Sequence, residues 1–363
     1  MARRFIISGG GTGGHIFPAI AIARAIQRHE PEAEILFVGA LGKMEMEKVP
    51  LAGFRIIGLD ISGFQRGSWR KNIRLPFQVF SSLWKAVKIV RDFKPDAAVG
   101  VGGYASGPLL FAAALCGIPT LIQEQNAVPG LTNRILAGRA GVICAAYDNI
   151  LKVYPGKKVV LCGNPVREGI EGKGVSRDEA CAKLGLDSSR PVVLITGGSL
   201  GAKTFNEAVR KNIELIRESS VQWIWQTGKS YFNHYSFLSD EIPHLHCRMF
   251  IDDMDVAYSA ADVVVSRGGA LSIAELQILG KPAILVPSPN VTDDQQTANV
   301  RALVVRNAAV MISEIDAEKL LITEAMLLAQ DTARCRQLSE DIQSMALPGA
   351  ADIIATELFK LIS

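Results

Sequence analysis

The segment 262–299 combines residue types that could bind a phosphorylated sugar. The β-branched run Val263–Val265 predicts a strand buried on both faces, and Gly268–Gly269 interrupts it just before a helix predicted to begin at Ala270. Two glycines at a helix N-terminus leave unpaired N–H groups and the positive end of the helix dipole open to close approach. Such a helix start suits a phosphate or a pyrophosphate.

Polar groups in the same segment suit sugar hydroxyls. Glu275 lies one turn inside the predicted helix, where its carboxylate could accept two hydrogen bonds from a ribose. The amides of Gln295 and Gln296 follow the next predicted strand and could bond the hydroxyls of a second sugar. An ordinary βαβ unit with a glycine-rich turn explains the pattern equally well, since glycine pairs often precede helices.

The N-terminus repeats this pattern and adds a histidine. A strand is predicted over Phe5–Ser8, a glycine loop over Gly9–Gly14 and a helix from His15 onwards. The loop matches a dinucleotide fingerprint, but no acidic residue directly follows the second strand, Ile35–Val38, and this disfavours a dinucleotide. At the positive end of a helix, His15 should stay neutral and accept a proton; a capping or merely exposed histidine is the alternative.

A second candidate base, Glu124, lies in the polar cluster Gln123–Asn126. A strand over Asp96–Val101 leads into the glycine loop Gly102–Pro108, and the strand Pro119–Ile122 ends at the cluster. Open parallel sheets bind ligands at the carboxyl ends of their strands, which is where these polar groups fall. Glu124 is therefore a base, a partner that orients His15, or an ordinary loop carboxylate.

The segment Ile61–Lys94 is basic and aromatic, with Asp92 as its single acidic residue. Its apolar residues include Ile73, Phe77, Phe80 and Trp84 at helical spacing, together with Phe64 and Trp69. A basic aromatic helix suits docking to an anionic lipid surface, although such a stripe can equally be the face that packs on the sheet. The basic residues are Arg66, Arg70, Lys71, Arg74, Lys85, Lys88, Arg91 and Lys94.

Length and composition predict a two-domain globular protein. The chain has 363 residues, 48% of them hydrophobic, and a net charge of +3, which argues against a dedicated nucleic-acid binder. The N-terminal apolar run is too short for a signal peptide, and we find no stretch of about 18 apolar residues. Six scattered cysteines suggest reduced thiols in the cytoplasm: Cys116, Cys144, Cys162, Cys181, Cys247 and Cys335.

The second half of the chain restarts the strand, glycine loop and helix of the first. Pro191–Thr196 is a predicted strand, Gly197–Gly201 a glycine loop and Ala202–Arg217 a helix. Two halves of this kind predict an α/β fold of two Rossmann-like domains with a cleft between them. We place the domains at 1–165 and 166–344, the junction being followed by a charged, glycine-containing link.

Asp253 and Asp255 form the Asp-x-Asp pattern of metal-dependent nucleotide-sugar enzymes. No third acidic ligand is evident, so we expect these residues to cap the helix that starts at Met254. We therefore predict neither a metal nor another cofactor.

Eight motifs together resemble the MurG family, the N-acetylglucosaminyltransferases of bacterial peptidoglycan synthesis in glycosyltransferase family 28. The resemblance spans nearly the whole chain and implies the glycosyltransferase-B fold, with a C-terminal helix at 345–363 packing back on the first domain. The chain departs from the family at Leu200, Gly268, Gln123 and Asp293–Asp294. The motifs are 10–15, 102–108, 124–126, 163–167, 197–199, 250–254, 270–275 and 294–296.

The resemblance implies UDP-N-acetylglucosamine as donor, bound mainly by the second domain, and the membrane-bound Lipid I as acceptor, bound by the first. By resemblance, Ile251 would hold the uracil, Glu275 the ribose and Gln295–Gln296 the N-acetylglucosamine, while Ser199 and the helix start would hold the diphosphate. The acceptor pyrophosphate would face Gly11, Gly103 and Tyr104. The implied donor residues are Thr12, Gly13, Gly14, Asn126, Arg167, Ser199, Ile251, Ala270, Leu271, Ser272, Ile273, Ala274, Glu275, Gln295 and Gln296.

The implied reaction is one in-line displacement that turns an α-linked donor sugar into a β-linked product, Lipid II. His15 is the expected base for the acceptor 4-hydroxyl, with Glu124 as rival or partner, and the helix start at Ala270 would stabilise the departing UDP without metal. The enzyme would lie peripherally on the cytoplasmic face of the inner membrane, where cell-wall synthesis proteins are available as partners.

Two other classes stay open. One is a glycosyltransferase-B enzyme with a soluble acceptor; the other is a non-hydrolysing epimerase or a nucleotide-binding regulator built on the same two domains. The basic, aromatic segment argues against both, because neither needs a lipid surface.

Overall fold

The computed structural model describes residues 2–61, 75–167, 169–172, 174–198, 200–290 and 294–363 of the chain. It divides into two compact units: unit 1 is Met1–Arg167 with Pro348–Ser363, and unit 2 is Glu168–Leu347. The boundaries between the units therefore follow Arg167 and Leu347, whereas the predicted domains end at 165 and 344. Both units are parallel-sheet α/β structures, which confirms the predicted fold class.

Unit 1 has a seven-stranded parallel sheet of order β3-β2-β1-β4-β5-β6-β7 in its described residues. Its strands are apolar along their length, as expected for a sheet covered on both faces. The strands are β1 Arg4–Ser8, β2 Glu34–Ala40, β3 Arg55–Leu59, β4 Ala97–Gly100, β5 Thr120–Glu124, β6 Val142–Ala145 and β7 Val159–Leu161.

Helices cover both faces of this sheet. The first and last helices of the unit pack on one face through residues such as Ile22 and Leu358, and the third and fourth on the other through Val90 and Leu109. The helices are α1 Gly13–His29, α2 Glu45–Leu51, α3 Leu75–Phe93, α4 Ser106–Leu115, α5 Leu131–Leu136, α6 Ile150–Val153 and, after unit 2, α17 Ala350–Lys360.

Unit 2 has a six-stranded parallel sheet of order β10-β9-β8-β11-β12-β13 in its described residues. Trp223 and Trp225 are fully buried in its core. The strands are β8 Val192–Thr196, β9 Gln222–Gln226, β10 Leu245–Arg248, β11 Val263–Ser266, β12 Ala283–Leu285 and β13 Val310–Met311. The helices are α7 Arg177–Leu184, α8 Lys203–Lys211, α9 Ile213–Glu218, α10 Phe232–Tyr235, α11 Leu238–Glu241, α12 Met254–Ala260, α13 Ala270–Leu279, α14 Gln295–Val304, α15 Ala317–Gln330 and α16 Thr332–Ser344.

The strand order of each sheet reverses at one point, between β1 and β4 in unit 1 and between β8 and β11 in unit 2. Open α/β sheets bind ligands outside the carboxyl ends of the strands at such a reversal. The four predicted glycine loops, at Gly9–Gly14, Gly102–Gly103, Gly197–Gly201 and Gly268–Gly269, follow those four strands. Each unit therefore carries a pair of glycine loops where its topology favours a ligand.

The helices of the described residues include none that is long and apolar enough to cross a bilayer.

Candidate active site

His15 is the third residue of α1, directly after the first glycine loop of unit 1. Its Nδ1 atom lies 3.2 Å from Thr12 Oγ1, and the ring also bonds to the backbone of Gly10. Burial has the largest effect on the ring and lowers the pKa of His15 below its ordinary value. The imidazole is therefore neutral near neutral pH and able to accept a proton, with burial as the chief cause.

Glu45, which the sequence analysis did not single out, holds this glycine loop in place. The carboxylate is fully buried, and its two oxygens accept hydrogen bonds from the backbone N–H groups of Ala40 (3.0 Å) and Gly11 (2.9 Å). Glu45 lies five residues beyond the end of β2, whereas the acidic residue of a dinucleotide site directly follows that strand. Because Gly11 donates to Glu45, its N–H is already used and does not face an acceptor pyrophosphate.

The second glycine loop of unit 1 lies against the first. Gly102 and Gly103 have φ values of +95° and +89°, which favour glycine. A Cβ atom on Gly103 would come within 2.3 Å of the Gly10 carbonyl oxygen, and one on Gly102 within 2.9 Å of His15 Nε2. The loops approach this closely only because both residues lack side chains. The exposed Tyr104 ring borders Gly11, so Gly11, Gly103 and Tyr104 lie together.

Glu124 is buried at the end of β5, and both of its oxygens accept hydrogen bonds. Oε1 accepts from the Asn126 N–H (3.0 Å), while Oε2 accepts from Asn133 Nδ2 (2.7 Å) and the Gly130 N–H (3.2 Å). Burial raises the pKa of Glu124, and the hydrogen bonds from these three donors and from the Asn126 side chain partly oppose that shift. These contacts fix the loop that carries Asn126, and the charged group that acts on the His15 ring is Glu45.

Two amides of the cluster predicted to face a ligand are structural instead. Gln123 donates to Asn164 Oδ1 (3.0 Å), and Gln125 donates to the Val101 carbonyl (2.6 Å). Asn164 in turn donates to the Gln125 carbonyl (3.1 Å), and all three side chains are buried. Asn126 is the more accessible member of the cluster, so the sequence pattern overstated the number of groups available to a ligand.

In unit 2, α13 begins at Ala270 as predicted, with Gly269 as its N-cap residue. Ala270, Leu271 and Ser272 form the first turn, where the positive end of the helix dipole lies. This turn follows β11 at the strand reversal and can bind an anion. The side chains of Ile273 and Ala274 are buried, so they would contact a donor only through the backbone.

Gly268 brings α14 close to the start of α13. A Cβ atom on Gly268 would lie 2.8 Å from the Gln296 carbonyl oxygen and 2.6 Å from Val300 Cγ2. Asn299 also donates to the Gly268 carbonyl (3.3 Å). The departure from the family at Gly268 therefore accompanies tight packing of the loop on α14.

Arg267, next to these glycines, faces the strand ends instead of the helix start. It forms an ion pair with Glu314 and donates to the Val286 carbonyl (3.2 Å). Its guanidinium also lies 4.6 Å from the centre of the Phe205 ring. Arg267 therefore uses its guanidinium for contacts between strands and helices within unit 2.

Glu275 lies inside α13 with 1% of its surface exposed, and its Oε2 accepts a hydrogen bond from the Tyr258 hydroxyl (3.0 Å). The tyrosine fixes one oxygen of the carboxylate. A ribose would reach the carboxylate only after neighbouring side chains shift.

Gln226, a second residue not found from the sequence, joins the Gly197–Gly201 loop to Ile251. It donates to the Gly198 carbonyl (2.8 Å) and accepts from the Ile251 N–H (2.9 Å). Since this N–H is occupied, a base bound to the Ile251 backbone would use the carbonyl oxygen or displace Gln226. Ser199 of the same loop lies outside the described residues.

Gln295 and Gln296 form the first turn of α14, which begins after Asp294 in a left-handed conformation (φ +51°). Gln296 Oε1 accepts a hydrogen bond from the Ser288 N–H (2.8 Å), which ties α14 to the loop after β12. Asp293 lies outside the described residues.

In unit 1, the Arg167 guanidinium lies 5.6 Å from the Phe17 ring centre, on the face of α1.

The Asp-x-Asp pattern precedes α12, which begins at Met254 as expected. Asp253 is the N-cap residue and Asp255 lies in the first turn, as expected, but the Asp253 side chain makes no capping hydrogen bond. Within the residues that the structure describes, no group of three or more His, Cys, Asp or Glu side chains could hold a metal ion.

Two α/β units with parallel sheets, each with paired glycine loops at its strand reversal, form the glycosyltransferase-B fold. The models of the glycosyltransferase family 28 N-terminal and C-terminal domains match residues 5–144 and 192–355. This chain belongs to glycosyltransferase family 28.

Relatives support this membership across the whole chain. A protein of Phocaeicola vulgatus is 51% identical over 361 residues, 99% of this chain and 96% of that protein, and is named UDP-N-acetylglucosamine--N-acetylmuramyl-(pentapeptide) pyrophosphoryl-undecaprenol N-acetylglucosamine transferase. A protein of Parabacteroides distasonis with the same name is 50% identical, covering 99% of this chain and 98% of its own. The crystal structure of Acinetobacter baumannii MurG is similar with a TM-score of 0.77 and 30% identity, covering 99% of this chain and 100% of that one.

Proposed function

We propose that this protein transfers N-acetylglucosamine from UDP-N-acetylglucosamine to the 4-hydroxyl of the N-acetylmuramyl-pentapeptide of Lipid I. The product is Lipid II for peptidoglycan synthesis. The observation that carries this proposal is the 51% identity, over 99% of the chain, to a transferase named for these substrates. The paired glycine loops in each unit support it, because the reaction needs a site for each of two pyrophosphate-linked substrates.

Unit 2 would bind the donor. The N–H groups of Ala270, Leu271 and Ser272 at the start of α13 suit its diphosphate, because a helix N-terminus favours negative charge. The carbonyl of Ile251 would accept from the uracil, and Glu275 would accept from the ribose. The amides of Gln295 and Gln296 would bond the N-acetylglucosamine.

His15 would act as the general base. The neutral ring takes the proton of the acceptor 4-hydroxyl as that oxygen attacks the anomeric carbon, and the bond from this carbon to the β-phosphate oxygen breaks. One displacement inverts the α-linkage to a β-linkage. UDP leaves with the electron pair, and the N–H groups and dipole of α13 stabilise its new charge without a metal.

Unit 1 would bind the acceptor pyrophosphate mainly through the loop between β4 and α4. Gly103 and Tyr104 lie there, just before the N-terminus of α4 at Ser106. Gly11 would lie near the pyrophosphate without donating its N–H to it, because that N–H donates to Glu45. Glu124 would act indirectly, by fixing the loop that presents Asn126.

The outward face of α3 would dock on the membrane. The side chains of Phe77, Phe80 and Trp84 are 78%, 74% and 68% exposed, and the exposed Lys88 and Arg91 continue the same stripe. The opposite face, with Ala86 and Val90, packs into the core. This arrangement supports a peripheral enzyme on the cytoplasmic face of the inner membrane, with rings at headgroup level and cations near anionic lipid. Residues 62–74 of the predicted segment lie outside the described residues.

Transfer of radiolabel from UDP-N-acetylglucosamine to Lipid I in vesicles tests the proposal. We expect label in the lipid product at an unchanged rate with excess chelator. A soluble N-acetylmuramyl-pentapeptide as the preferred acceptor would contradict the lipid assignment. Epimerisation of the donor alone would place the protein in the epimerase class, and loss of activity restored by magnesium would contradict the metal-independent mechanism.

A further inference from the structure

We propose that Glu45 is a positioning residue for the transfer, because its carboxylate fixes the glycine loop that leads into His15. The inference rests on the proposed function, because it assigns a role within the same reaction. Glu45 is the first residue of α2 and lies 34 residues from Gly11 in sequence, yet its carboxylate bonds directly to the Gly11 N–H.

The surroundings of Glu45 are shaped around its carboxylate. A Cβ atom on Gly10 would lie 2.2 Å from Glu45 Oε1, and one on Gly39 would lie 2.5 Å from its Cγ atom. Two glycines, Gly10 in the loop after β1 and Gly39 in strand β2, therefore leave the volume that the side chain fills. The first turn of a helix also favours a carboxylate, because the helix dipole is positive there.

The chemistry of the contacts requires two acceptor atoms. Oε1 accepts from the Ala40 N–H and Oε2 from the Gly11 N–H, so the carboxylate joins the end of β2 to the loop after β1. A glutamine has one acceptor oxygen and would direct its NH₂ group at the second backbone N–H. An unsatisfied donor in a buried place is costly, so the loop would move to relieve it.

Movement of the loop reaches His15 directly. The ring bonds to the Gly10 backbone and to Thr12, and both residues flank Gly11. The negative charge of Glu45 also raises the pKa of His15, in opposition to the larger effect of burial. Glu45 therefore sets both the place of the base and part of its electrostatic surroundings.

The test compares the full-length wild type with Glu45→Gln and with Glu47→Gln, an exposed carboxylate on the same helix. We expect Glu45→Gln to lower kcat about 10²-fold, the size of effect that misplacing a reacting group by about 1 Å can have. UDP affinity by calorimetry should fall by much less than kcat, because the proposed UDP contacts lie mainly in the other unit. Glu47→Gln should match the wild type in each measurement.

A second measurement needs no turnover. In NMR titration of histidine-labelled protein, with the His15 signal assigned by its loss in His15→Gln, the His15 pKa should fall in Glu45→Gln and stay unchanged in Glu47→Gln. If Glu45→Gln does not fold, Glu45→Asp replaces it. The shorter side chain keeps the charge but does not span both N–H groups, so kcat should still fall.

Two results would overturn the inference: a Glu45→Gln enzyme with wild-type kcat, or one that loses only melting temperature while the His15 titration stays the same. If the wild type transfers no sugar to Lipid I, the proposed function fails. The NMR titration then still decides whether Glu45 acts on His15.

Discussion

The two candidate bases of unit 1 differ in what their polar atoms already bond. Glu124 accepts hydrogen bonds from four N–H donors with its two oxygens, whereas the neutral His15 ring lies between the two glycine loops and bonds only to Thr12 and the Gly10 backbone among the contacts described above. A carboxylate held in this way suits loop support better than proton transfer. These contacts therefore favour His15 as the proposed base.

Replacing His15 with glutamine should lower kcat by about 10²- to 10⁴-fold, because that is the usual contribution of a general base. UDP binding should persist, since the donor is proposed to bind unit 2. Steady-state kinetics with Lipid I and calorimetry with UDP measure the two effects. If His15→Gln keeps near-normal turnover and Glu124→Gln is inactive, Glu124 is the base and the assignment to His15 is wrong.

The pH dependence should report the same histidine. Burial lowers the pKa of His15, so the ring loses its proton below the ordinary histidine value of about 6.5. Activity that needs the neutral ring should then rise with pH through a limb below about 6.5 and stay level around neutrality. A profile of kcat/KM for the acceptor checks this, and a limb above about 7 would contradict it.

Local sequence patterns predicted the site residues that lie at the ends of strands and helices. The roles of the other site residues depend on contacts between distant parts of the chain. The start of α13 at Ala270 and the position of His15 follow from glycines and helix periodicity. Glu45 and Gln226 were missed because they contact their glycine loops from 34 and 28 residues away. No local pattern at either residue indicates which backbone N–H group its side chain will bond.

At the scale of elements, the spacing of α13 and α14 depends on Gly268. A methyl group there would press on the Gln296 carbonyl and Val300, so Gly268→Ala should move the start of α14 and destabilise the protein by about 1–3 kcal/mol. Gln295 and Gln296 are proposed to bind the sugar, so affinity for UDP-N-acetylglucosamine should fall about tenfold while affinity for UDP changes less.

Calorimetry with both ligands and a thermal melt test this prediction. Gly174→Ala is the matched control in the same unit, because a Cβ atom there makes only an ordinary 3.5 Å contact with Ser259. An equal loss of affinity for UDP and for UDP-N-acetylglucosamine would contradict a role of α14 in binding the sugar.

Helix α3 shows why periodicity alone left two interpretations. The spacing of Phe77, Phe80 and Trp84 defines one face, but the helix also has an apolar face at Ala86 and Val90 that fills the core. Only the packed structure distinguishes the face turned to solvent. The choice of core face was open in the sequence because both faces are apolar.

The exposed face of α3 predicts the lipid dependence of binding. Phe80→Ser with Trp84→Ser should weaken binding to anionic vesicles by at least about tenfold, because two rings would no longer enter the headgroup region. Phe237→Ser is the control, since Phe237 is exposed but lies in unit 2. Vesicle sedimentation measures the effect, and an equal loss in the control variant would contradict the assignment.

At the scale of the whole molecule, the chain returns to unit 1 for its last helix. Helix α17 packs on the sheet of unit 1 through buried residues that include Ile354 and Leu358. Glu357, largely buried, forms ion pairs with Lys158 and Lys360. The C-terminus therefore stabilises the unit that carries His15, although unit 2 lies between them in sequence.

Leu358→Ala should destabilise unit 1 by about 2–5 kcal/mol, the usual cost of truncating a buried leucine. Hydrogen exchange should then quicken in β1, β4 and β5 and stay unchanged in β8 and β11. Ile353→Ala, at a more exposed apolar residue of the same helix, should have little effect. Equal acceleration in both sheets would contradict the division into two units.

The central claim is that the donor binds unit 2 where its strand order reverses, with its diphosphate at the start of α13. A crystal structure with UDP-N-acetylglucosamine tests this most directly. We predict the diphosphate within hydrogen-bonding distance of the Leu271 and Ser272 N–H groups, and the ribose on a Glu275 carboxylate that has become accessible. A diphosphate bound at the Gly9–Gly14 loop of unit 1, or a uridine away from Glu275, would contradict the account.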